Sequence, residues 1–375
     1  MDEQTQNSQK EHDGSSGNQE EAVFRKKKMN IPLLIAEVAV MVIAIGVLYV
    51  VTTMTKEIDR TDIDMDTIII NEEVAETIAE KKETEVKTKG YRNIALFGVD
   101  ARDNELGKGT RSDTIIIASI NQDTHEITLV SVYRDTYLNL SNDTYNKCNA
   151  AYANGGPEQA INMLNINLDL DITDYVTVGF SGLIEAIDEL GGVEIEVTEA
   201  EINHLNNYQL CMAQEMGIDY IPVTEAGKQT LNGMQATAYC RIRYTKGDDF
   251  RRAERQRDVL GAMMLKAKGA SLTTLNDVVT AVLPSVNTSL NVNEIIGVLG
   301  TVADYKVVAS EGFPFSSDRS GAKIGSKGDC VIPDTLEENV VLLHEVLYGD
   351  KNYTPSKEVV SLSKEIDAQT KEYLN

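Results

Sequence analysis

Arginine is concentrated in one short segment of this chain. Six of the thirteen arginines fall between Arg241 and Arg257, in the sequence CRIRYTKGDDFRRAERQR, although the 375 residues carry a formal charge of −24. Guanidinium groups bind phosphate oxygens through paired N–H donors. A local basic cluster on an acidic protein therefore indicates a pocket for a small, highly charged anion. Binding to nucleic acid would need a broad basic surface, so we expect no nucleic-acid partner.

The second half of this segment, DFRRAERQRDVLGAMMLKAKG, predicts a helix. At about 100° per residue, Arg252 and Gln256 lie on its apolar face. An inward guanidinium near a helix N-terminus suits an anion held by backbone N–H groups and the helix dipole. A buried ion pair between Arg252 and Asp249 or another carboxylate is the alternative. The other arginines of the helix are predicted to point toward solvent: Arg251, Arg255 and Arg257.

The preceding motif, ATAYCRIRY, predicts a strand. On alternate positions of such a strand Arg241 and Arg243 share one face and can join Arg252. Cys240 would then lie on the opposite, inward face as a buried free thiol. The chain has four cysteines and no CxxC pair, which argues against a zinc ribbon. A disulfide between Cys211 and Cys330 is left open.

A second group of charged residues lies at the ends of predicted strands. Asp100 ends one apolar run, Arg111 and Asp113 begin the next, and Arg134 and Asp135 end the third. Ends of buried strands are where α/β folds place ligands. Carboxylates beside arginines suggest Mg²⁺ that bridges to phosphate, because Mg²⁺ binds one or two carboxylates plus phosphate oxygens. Each pair taken alone is more often a structural salt bridge.

Short apolar runs alternate with helical patterns along the middle of the chain. NIALFGVD, TIIIASI and EITLVSV predict buried strands, the last two joined by a tight connection. PEQAINMLN predicts a helix, and SGLIEAIDELGG predicts another, capped by Ser181 and ended by Gly191 and Gly192. Its LIEAIDEL portion is interpreted as core. Alternating strands and helices indicate a layered α/β domain.

The chain divides into five regions by composition. The basic run RKKK precedes an apolar stretch long enough to span a bilayer, and acidic residues follow it. The positive-inside rule then places the N-terminus in the cytoplasm and the rest outside the cell membrane. A cleaved signal peptide is the alternative. The regions are a disordered cytoplasmic tail (1–28), a transmembrane helix (29–53), a partly helical extracytoplasmic stalk (54–89), a folded domain (90–350) and a loose C-terminal tail (351–375).

Several motifs occur together, in order, over roughly residues 91–268. They are NIALFGVDAR, GTRSDTIIIASI, LVSVYRDTYL, KCNAAYANGG, DYVTVGFSGLIEAIDELGGVEIEV, GKQTLNGMQATAYCRIRY and GDDFRRAERQR. Jointly they resemble the LytR-CpsA-Psr family of membrane-anchored cell-wall glycopolymer transferases. The resemblance implies that residues 90–350 form the catalytic domain, a three-layer α/β/α fold with a central mixed sheet. It also implies a hydrophobic cavity for a polyprenyl tail, with arginines at its rim.

The activity implied by the resemblance is transfer of a glycopolymer from a polyprenyl-pyrophosphate carrier to peptidoglycan. The product is a phosphodiester to a muramic acid 6-hydroxyl, and polyprenyl phosphate is released. The implied partners are the polyprenyl-linked glycan, peptidoglycan and, through a single-pass helix, the membrane. Two alternatives stay open: a non-catalytic receptor or regulator that binds polyprenyl-linked glycans, and a pyrophosphate hydrolase.

The resemblance also assigns roles to individual residues. Asp100 and Asp113 are implied to hold Mg²⁺ or Mn²⁺, and Asp113 matches a proposed general base. Asp249 matches the aspartate of a D-F-G-R motif, in which Arg251 here replaces glycine. The implied catalytic residues are Asp113, Arg134 and Arg252. The implied pyrophosphate-binding residues are Arg111, Arg134, Lys147, Arg241, Arg243, Arg252 and Gln256.

Overall fold

The structure of the protein, a computed structural model, describes residues 59–60, 63–83, 90–100, 106–243 and 248–374. These residues belong to one compact unit that spans residues 51–375. The predicted tail (1–28) and the predicted transmembrane helix (29–53) lie outside the described residues. Within the described ranges, no helix combines the length and apolar character needed to cross a membrane.

Most of the described strands are short. The strands are β1 (Asp59–Arg60), β2 (Tyr91–Val99), β3 (Ser112–Asn121), β4 (Glu126–Val132), β5 (Tyr137–Asn139), β6 (Tyr145–Lys147), β7 (Asp174–Gly179), β8 (Val193–Val197), β9 (Gly227–Leu231), β10 (Val286–Thr288), β11 (Lys306–Phe313), β12 (Arg319–Ile324) and β13 (Gly328–Pro333). The longest are β2, β3, β4 and β11 of the main sheet.

The described α-helices alternate with these strands through most of the chain. They are α1 (Glu72–Glu83), α2 (Asn149–Leu168), α3 (Phe180–Glu189), α4 (Glu199–Met216), α5 (Gly233–Arg241), α6 (Asp248–Gly269), α7 (Leu272–Val282), α8 (Val292–Thr301), α9 (Leu336–Tyr348) and α10 (Lys357–Thr370).

Seven strands form a mixed sheet in the order β1-β10-β7-β2-β3-β4-β11. The β3–β4 pair is antiparallel, as the predicted tight connection between these two strands requires. The β2–β3 pair is also antiparallel, whereas β2–β7 and β4–β11 are parallel. The central strands are apolar at nearly every position because both faces of the sheet are covered. The ends of β2 and β3 that carry Asp100 and Asp113 therefore meet at one edge.

Helices cover both faces of this sheet. On one face α2, α9 and α10 pack over side chains such as Phe97 and Ile117. On the other face Leu260 and Met264 of α6 pack over Ile116 and other residues of β3 and β4. The predicted α/β fold with a central mixed sheet is thereby confirmed.

A second lobe lies beside α6. The antiparallel hairpin β8–β9 packs with α3, α4 and α5 around a separate apolar cluster that includes Leu205, Leu231 and Tyr239. Val259 and Met263 of α6 belong to the same cluster or pack against it. Helix α6 is therefore enclosed by the sheet on one side and by the second lobe on another.

The prediction of a strand for ATAYCRIRY is wrong, because residues 233–241 form α5. The helix begins at Asn232, whose side chain accepts a hydrogen bond from the Gln235 backbone N–H at 2.9 Å. The Gln235 side chain accepts one in return from the Asn232 backbone N–H, also at 2.9 Å. This capping box satisfies two donors that a helix start leaves unpaired. Only Ile242 and Arg243, which follow the helix, are extended.

The expectation of a loose C-terminal tail is also wrong, since α10 packs into the main core. Its residues Val359, Leu362 and Ile366 are buried there and form an apolar stripe at helical spacing. The tail was predicted to be loose from its polar composition, and composition alone does not reveal an apolar stripe at helical spacing.

The predicted stalk is partly helical, as expected, but its middle packs against the domain. The Ile69 backbone N–H donates to Asn162 Oδ1 at 2.8 Å, and Asn71 is buried beside Asp169. A smaller correction concerns α3, which begins after Gly179 rather than at Ser181.

Candidate functional site

Asp113, the second residue of β3, is the centre of a cluster of arginines. Its Oδ1 accepts a hydrogen bond from Arg134, which follows β4, at 3.0 Å. Its Oδ2 accepts from Arg243, just after α5, at 3.0 Å and from Arg252 of α6 at 3.1 Å. The sheet edge, the second lobe and α6 each contribute one guanidinium to this carboxylate.

The three arginines control the charge of Asp113. Burial alone would raise the pKa of this carboxyl, but the positive charges of Arg252, Arg134 and Arg243 outweigh that effect and hold the pKa below its usual value. Asp113 is therefore ionised at neutral pH and is a weak base while the arginines contact it. Burial, together with the like charges of Arg243 and Arg134, lowers the pKa of Arg252 despite the attraction of Asp113.

A further aspartate lies against the same arginines. Asp249, in the first turn of α6, has Oδ2 3.5 Å from Arg134 Nη2 and Oδ1 3.8 Å from both Arg243 Nε and Arg252 Nη1. Of the carboxylates considered in the alternative interpretation of Arg252, Asp249 makes only a loose contact, and another carboxylate, Asp113, is the closer partner.

Lys147 reaches this cluster through Asp135. Its Nζ lies 3.0 Å from Asp135 Oδ1, and the other oxygen of Asp135 lies 3.5 Å from Arg134 Nε. Lys147 belongs to β6, and β6 pairs with β5, which begins two residues after Asp135. The sequence placed Asp135 beside Arg134 at the strand end but assigned it no role in the site.

Arg241, the last residue of α5, lies near Asp100 at the end of β2. Its Nη2 is 3.7 Å from Asp100 Oδ2, and its guanidinium carbon lies 4.5 Å from the ring centre of Phe180 and 5.6 Å from that of Tyr208. The aromatic faces stabilise the cation. Asp100 is half exposed, so much of its carboxylate remains open to an additional ligand.

Several guanidinium N–H groups of this cluster are buried without a hydrogen bond to any described residue. They include Nε of Arg252, Nε of Arg134 and Nη1 of Arg241. Leaving a buried charged donor unsatisfied is costly, and native structures rarely contain such groups without a reason. These donors indicate a site for an anion with several oxygens.

Two cavities meet at this cluster. A polar cavity of about 220 Å³ is lined by Asp113, Arg134, Asp135 and Asp249, among others. An apolar cavity of about 320 Å³ lies between the sheet, α3 and α6. Three residues line both cavities: Thr114, Arg252 and Gln256.

The apolar cavity corrects one interpretation of the sequence. Leu183 and Ala186, within LIEAIDEL, line the cavity, whereas Ile184 and Ile187 of the same helix are in the core. The motif therefore contributes both to core and to cavity. No periodicity in the sequence distinguishes a side chain that faces a cavity from one that faces a packed neighbour.

The structure does not bring every predicted site residue into the cluster. Arg111 is exposed just before β3 and forms no ion pair with the described charged residues of the cluster. Arg251 is half exposed and pairs with Glu254 at 2.6 Å, away from the cavities, as its predicted direction required. Gln256 lies where predicted, one turn beyond Arg252 on the inward face of α6.

The predicted solvent exposure of Arg255 and Arg257 is wrong, since both are buried. Arg255 Nε donates to Glu201 Oε1 of α4 at 2.8 Å, and its Nη1 donates to the Ile242 carbonyl at 3.1 Å. Arg257 Nε donates to Ser310 Oγ of β11 at 2.8 Å. A helical wheel assumes one buried face, whereas α6 is enclosed on several sides. Arg255 consequently anchors the backbone between Arg241 and Arg243.

The four cysteines are free thiols. Cys240 is buried, as predicted, although on a helix, and burial raises the pKa of its thiol to about 12. Cys148 and Cys330 are also buried, with thiol pKa values raised by burial, while Cys211 is exposed on α4. A disulfide between Cys211 and Cys330 is therefore absent from this structure.

The metal expectation can be tested on the residues themselves. Within the described parts of the chain, no group of three or more His, Cys, Asp or Glu side chains could hold a metal ion. Asp100 is half exposed and Asp113 lines the polar cavity, so the two supply oxygen donors only. This set fits Mg²⁺ only when the remaining oxygens come from a bound phosphate compound.

The LytR_cpsA_psr family model matches residues 54–323, which is well over half of the chain. The chain belongs to the LytR-CpsA-Psr family. A similar curated protein is the polyisoprenyl-teichoic acid–peptidoglycan teichoic acid transferase TagU of Enterococcus faecalis. It is 31% identical over 224 residues, which span 58% of this chain and 69% of the relative. Across this and two further relatives the matched region spans 50% to 69% of their length.

Solved structures of this family share the fold. One, described as TagT bound to LI-WTA, aligns with a TM-score of 0.56 at 21% identity and covers 71% of this chain and 92% of that one. Another, TagT with bound octaprenyl pyrophosphate lipid, aligns with a TM-score of 0.51 at 20% identity and covers 71% and 93%. At these identities the likeness concerns the fold.

Proposed function

We propose that this LytR-CpsA-Psr protein is a membrane-anchored phosphotransferase that moves a glycopolymer from a polyprenyl-pyrophosphate carrier to peptidoglycan. The observation that carries the proposal is the junction, at Arg252 and Gln256, of an apolar cavity with a cluster of arginines that has buried, unpaired N–H groups. A polyprenyl pyrophosphate has the same two parts, an apolar chain and a polyanionic head. The relatives named as teichoic acid–peptidoglycan transferases support the same activity.

The arginines have exchangeable partners in this site. Asp113 accepts hydrogen bonds from Arg134, Arg243 and Arg252, and these are the groups that a pyrophosphate would engage. Arginine binds phosphate oxygens through the same planar fork that binds a carboxylate. We therefore propose that Asp113 is the counter-ion of the arginines before the donor binds and that the pyrophosphate replaces it as their partner.

The transfer step follows from this exchange. An acceptor hydroxyl, proposed to be the muramic acid 6-hydroxyl, forms a bond to the phosphorus that carries the glycan. The bond from that phosphorus to the bridging oxygen breaks, and polyprenyl phosphate leaves with both bonding electrons. Arg134 and Arg252 neutralise the charge that develops on the phosphate oxygens. Once the arginines have turned to the phosphates, the Asp113 carboxylate is released from them and is the proposed acceptor for the hydroxyl proton.

A divalent cation fits the charge balance of the site. Five basic side chains, on Arg134, Lys147, Arg241, Arg243 and Arg252, lie among four carboxylates, on Asp100, Asp113, Asp135 and Asp249. The surplus of one positive charge is too small for a doubly charged pyrophosphate diester. We propose that Asp100 and Asp113 hold Mg²⁺ together with phosphate oxygens. Bound there, the ion would neutralise the phosphates and the leaving group.

The proposed location follows from the sequence. A single membrane-spanning helix at residues 29–53, with the basic run before it, would place the described domain outside the membrane. There it would meet both its lipid-linked donor and peptidoglycan.

The test uses the full-length protein in detergent micelles with a labelled polyprenyl-pyrophosphate glycan, peptidoglycan fragments and Mg²⁺. Mass spectrometry of the products would identify polyprenyl phosphate and a phosphodiester-linked glycan if the proposal is correct. The matched controls are Arg252→Ala, expected to abolish turnover, and Arg251→Ala on the adjacent, half-exposed position, expected to retain it.

Two outcomes would replace the proposal. Binding of the donor without turnover, with and without Mg²⁺, would establish a receptor. Release of glycan phosphate without an acceptor adduct would establish a pyrophosphate hydrolase.

A further inference from the structure

The two most exposed large apolar side chains of the described residues lie at the connection between α6 and α7. Leu265, near the end of α6, is 72% exposed, and Leu272, the first residue of α7, is 74% exposed. Large apolar side chains that are exposed close together mark sites of contact with a protein or a membrane. We call residues 265–272 the α6–α7 corner.

The charge of this region differs from that of the rest of the protein. Residues 259–293 contain only three charged side chains, on Lys266, Lys268 and Asp277, whereas the whole chain has 59 acidic residues and a formal charge of −24. Both lysines belong to the corner and are partly exposed. An acidic protein is repelled by an anionic lipid surface. The corner is a place where that repulsion is absent and where lysines can meet anionic headgroups.

The corner lies at the far end of α6, the helix that forms one wall of the apolar cavity. Arg252 and Gln256 lie at the polar end of the cavity, and further along the helix Val259, Leu260 and Met263 line it. Leu265 follows Met263 by two residues and does not line the cavity. The helical rise from Arg252 to Leu265 is about 20 Å. The arginines and the exposed leucines therefore lie at opposite ends of the helix that forms one cavity wall.

We infer that the α6–α7 corner docks onto the surface of a lipid bilayer, with Leu265 and Leu272 inserted at the headgroup–acyl boundary and Lys266 and Lys268 against anionic headgroups. This inference rests on the proposed function, in which the cavity receives a polyprenyl chain that resides in the membrane. Docking at this end directs the apolar end of the cavity toward the lipid. It directs the arginine cluster away from the bilayer, where an acceptor in the cell wall can approach. Interfacial apolar groups flanked by lysines bind membranes in this way.

The test exploits the absence of tryptophan from the chain. Full-length Leu265→Trp and Leu272→Trp variants, each with a single indole, are reconstituted into vesicles of phosphatidylcholine and phosphatidylglycerol, with and without brominated acyl chains. The control is Ile221→Trp, because Ile221 is 67% exposed in the second lobe, after α4. All three substitutions are at exposed positions, so the fold is not required to accommodate a new buried ring.

Docking predicts that brominated lipid lowers the emission of both corner variants by roughly twofold or more, as expected for a side chain at the headgroup–acyl boundary. The emission of the Ile221→Trp control should not change. The inference is overturned if the corner tryptophans are quenched no more than the control. It is also overturned if their emission shifts to the blue without quenching and they cross-link to a second copy of the chain, which would make the corner a protein interface.

The readout needs neither donor nor turnover. A failure of docking is therefore distinguishable from a failure of the transferase proposal, which the product assay decides separately.

Discussion

Replacing Arg255 by methionine leaves Glu201 as a buried carboxylate without its cation. Arg255 and Glu201 are 1% and 3% exposed, and Nε lies 2.8 Å from Oε1. Arg255 also donates to the carbonyl of Ile242, the residue between two arginines of the site. The substitution therefore removes a buried ion pair and a backbone anchor without changing the surface.

The expected loss can be worked from the burial of this pair. Removing one partner of a buried, hydrogen-bonded ion pair costs about 3–5 kcal/mol, because the remaining charge has lost its partner and is shielded from water. Total stabilities of native proteins are about 5–15 kcal/mol. We expect Arg255→Met to remove roughly a fifth or more of the free energy of unfolding.

The assay is urea unfolding of the full-length protein in detergent, followed by far-ultraviolet circular dichroism. Arg251→Met is the matched control, since Arg251 lies on the same helix and pairs with a glutamate at 2.6 Å, but both partners are substantially exposed. Exposed pairs contribute about 0.2–1 kcal/mol. The double variant Glu201→Gln/Arg255→Met should recover most of the loss. It removes the stranded charge, yet the amide oxygen can still accept the hydrogen bonds from Thr198 that begin α4.

The pair also has a defined pH dependence. Burial raises the pKa of Glu201, but hydrogen bonds from Thr198 and Arg255 and the charge of Arg255 outweigh it, so the pKa lies below its usual value of 4.5. A depressed pKa means that the carboxylate stabilises the fold above about pH 4.5. That contribution is lost as the pH falls through the folded-state pKa. The stability difference between wild type and Glu201→Gln should shrink accordingly in acid.

The reasoning would be refuted by either of two results. One is a loss below 1 kcal/mol for Arg255→Met, comparable to the exposed control. The other is a double variant no more stable than the single one, which would mean that the stranded charge is not the cause.

Three further predictions follow from the described contacts. Arg252→Ala should lower the transfer rate by about 100-fold, because it removes one preorganised donor that stabilises the charge of the transition state. Arg251→Ala should change the rate by less than about threefold. Product formation at a saturating donor concentration measures both rates. A maleimide reagent at pH 8 should label Cys211 within minutes, and Cys240, whose thiol pKa is raised to about 12, only after urea unfolding, as mass spectrometry of peptides would show. Gly233→Ala should destabilise the protein by about 1–3 kcal/mol in the same urea assay, because its Cβ would lie 2.2 Å from a backbone oxygen of α3. Labelling of both thiols at equal rates would contradict the packing of the second lobe, and so would a Gly233→Ala variant as stable as the wild type.

Local patterns were sufficient for much of the sheet and for α6. The runs NIALFGVD and TIIIASI form β2 and β3, and the helix predicted from DFRRAERQR begins at Asp248. The inward direction of Arg252 and Gln256 also followed from helical geometry, since both line the two cavities. In each of these elements the buried face is fixed by side chains close in sequence.

Other features depended on residues distant in sequence. The residues of α5 have strand-like composition, but the capping box at Asn232 and the packing of the second lobe make them a helix. Arg255 was expected in solvent because nothing within α6 shows that Glu201, 54 residues earlier, lies opposite it. The family resemblance implied an apolar cavity, but no residue pattern located it, since a cavity is space left between elements and not a property of any one of them.

The sequence by itself determined the kinds of group that this protein brings to its site: arginines in one dense segment and aspartates at strand ends. The tertiary structure alone decided that Arg134, Arg243 and Arg252 share the carboxylate of Asp113 and that an apolar cavity opens beside them. The reason is physical. Hydrophobic periodicity and capping act over a few residues, whereas ion pairs and cavities depend on where separate elements pack.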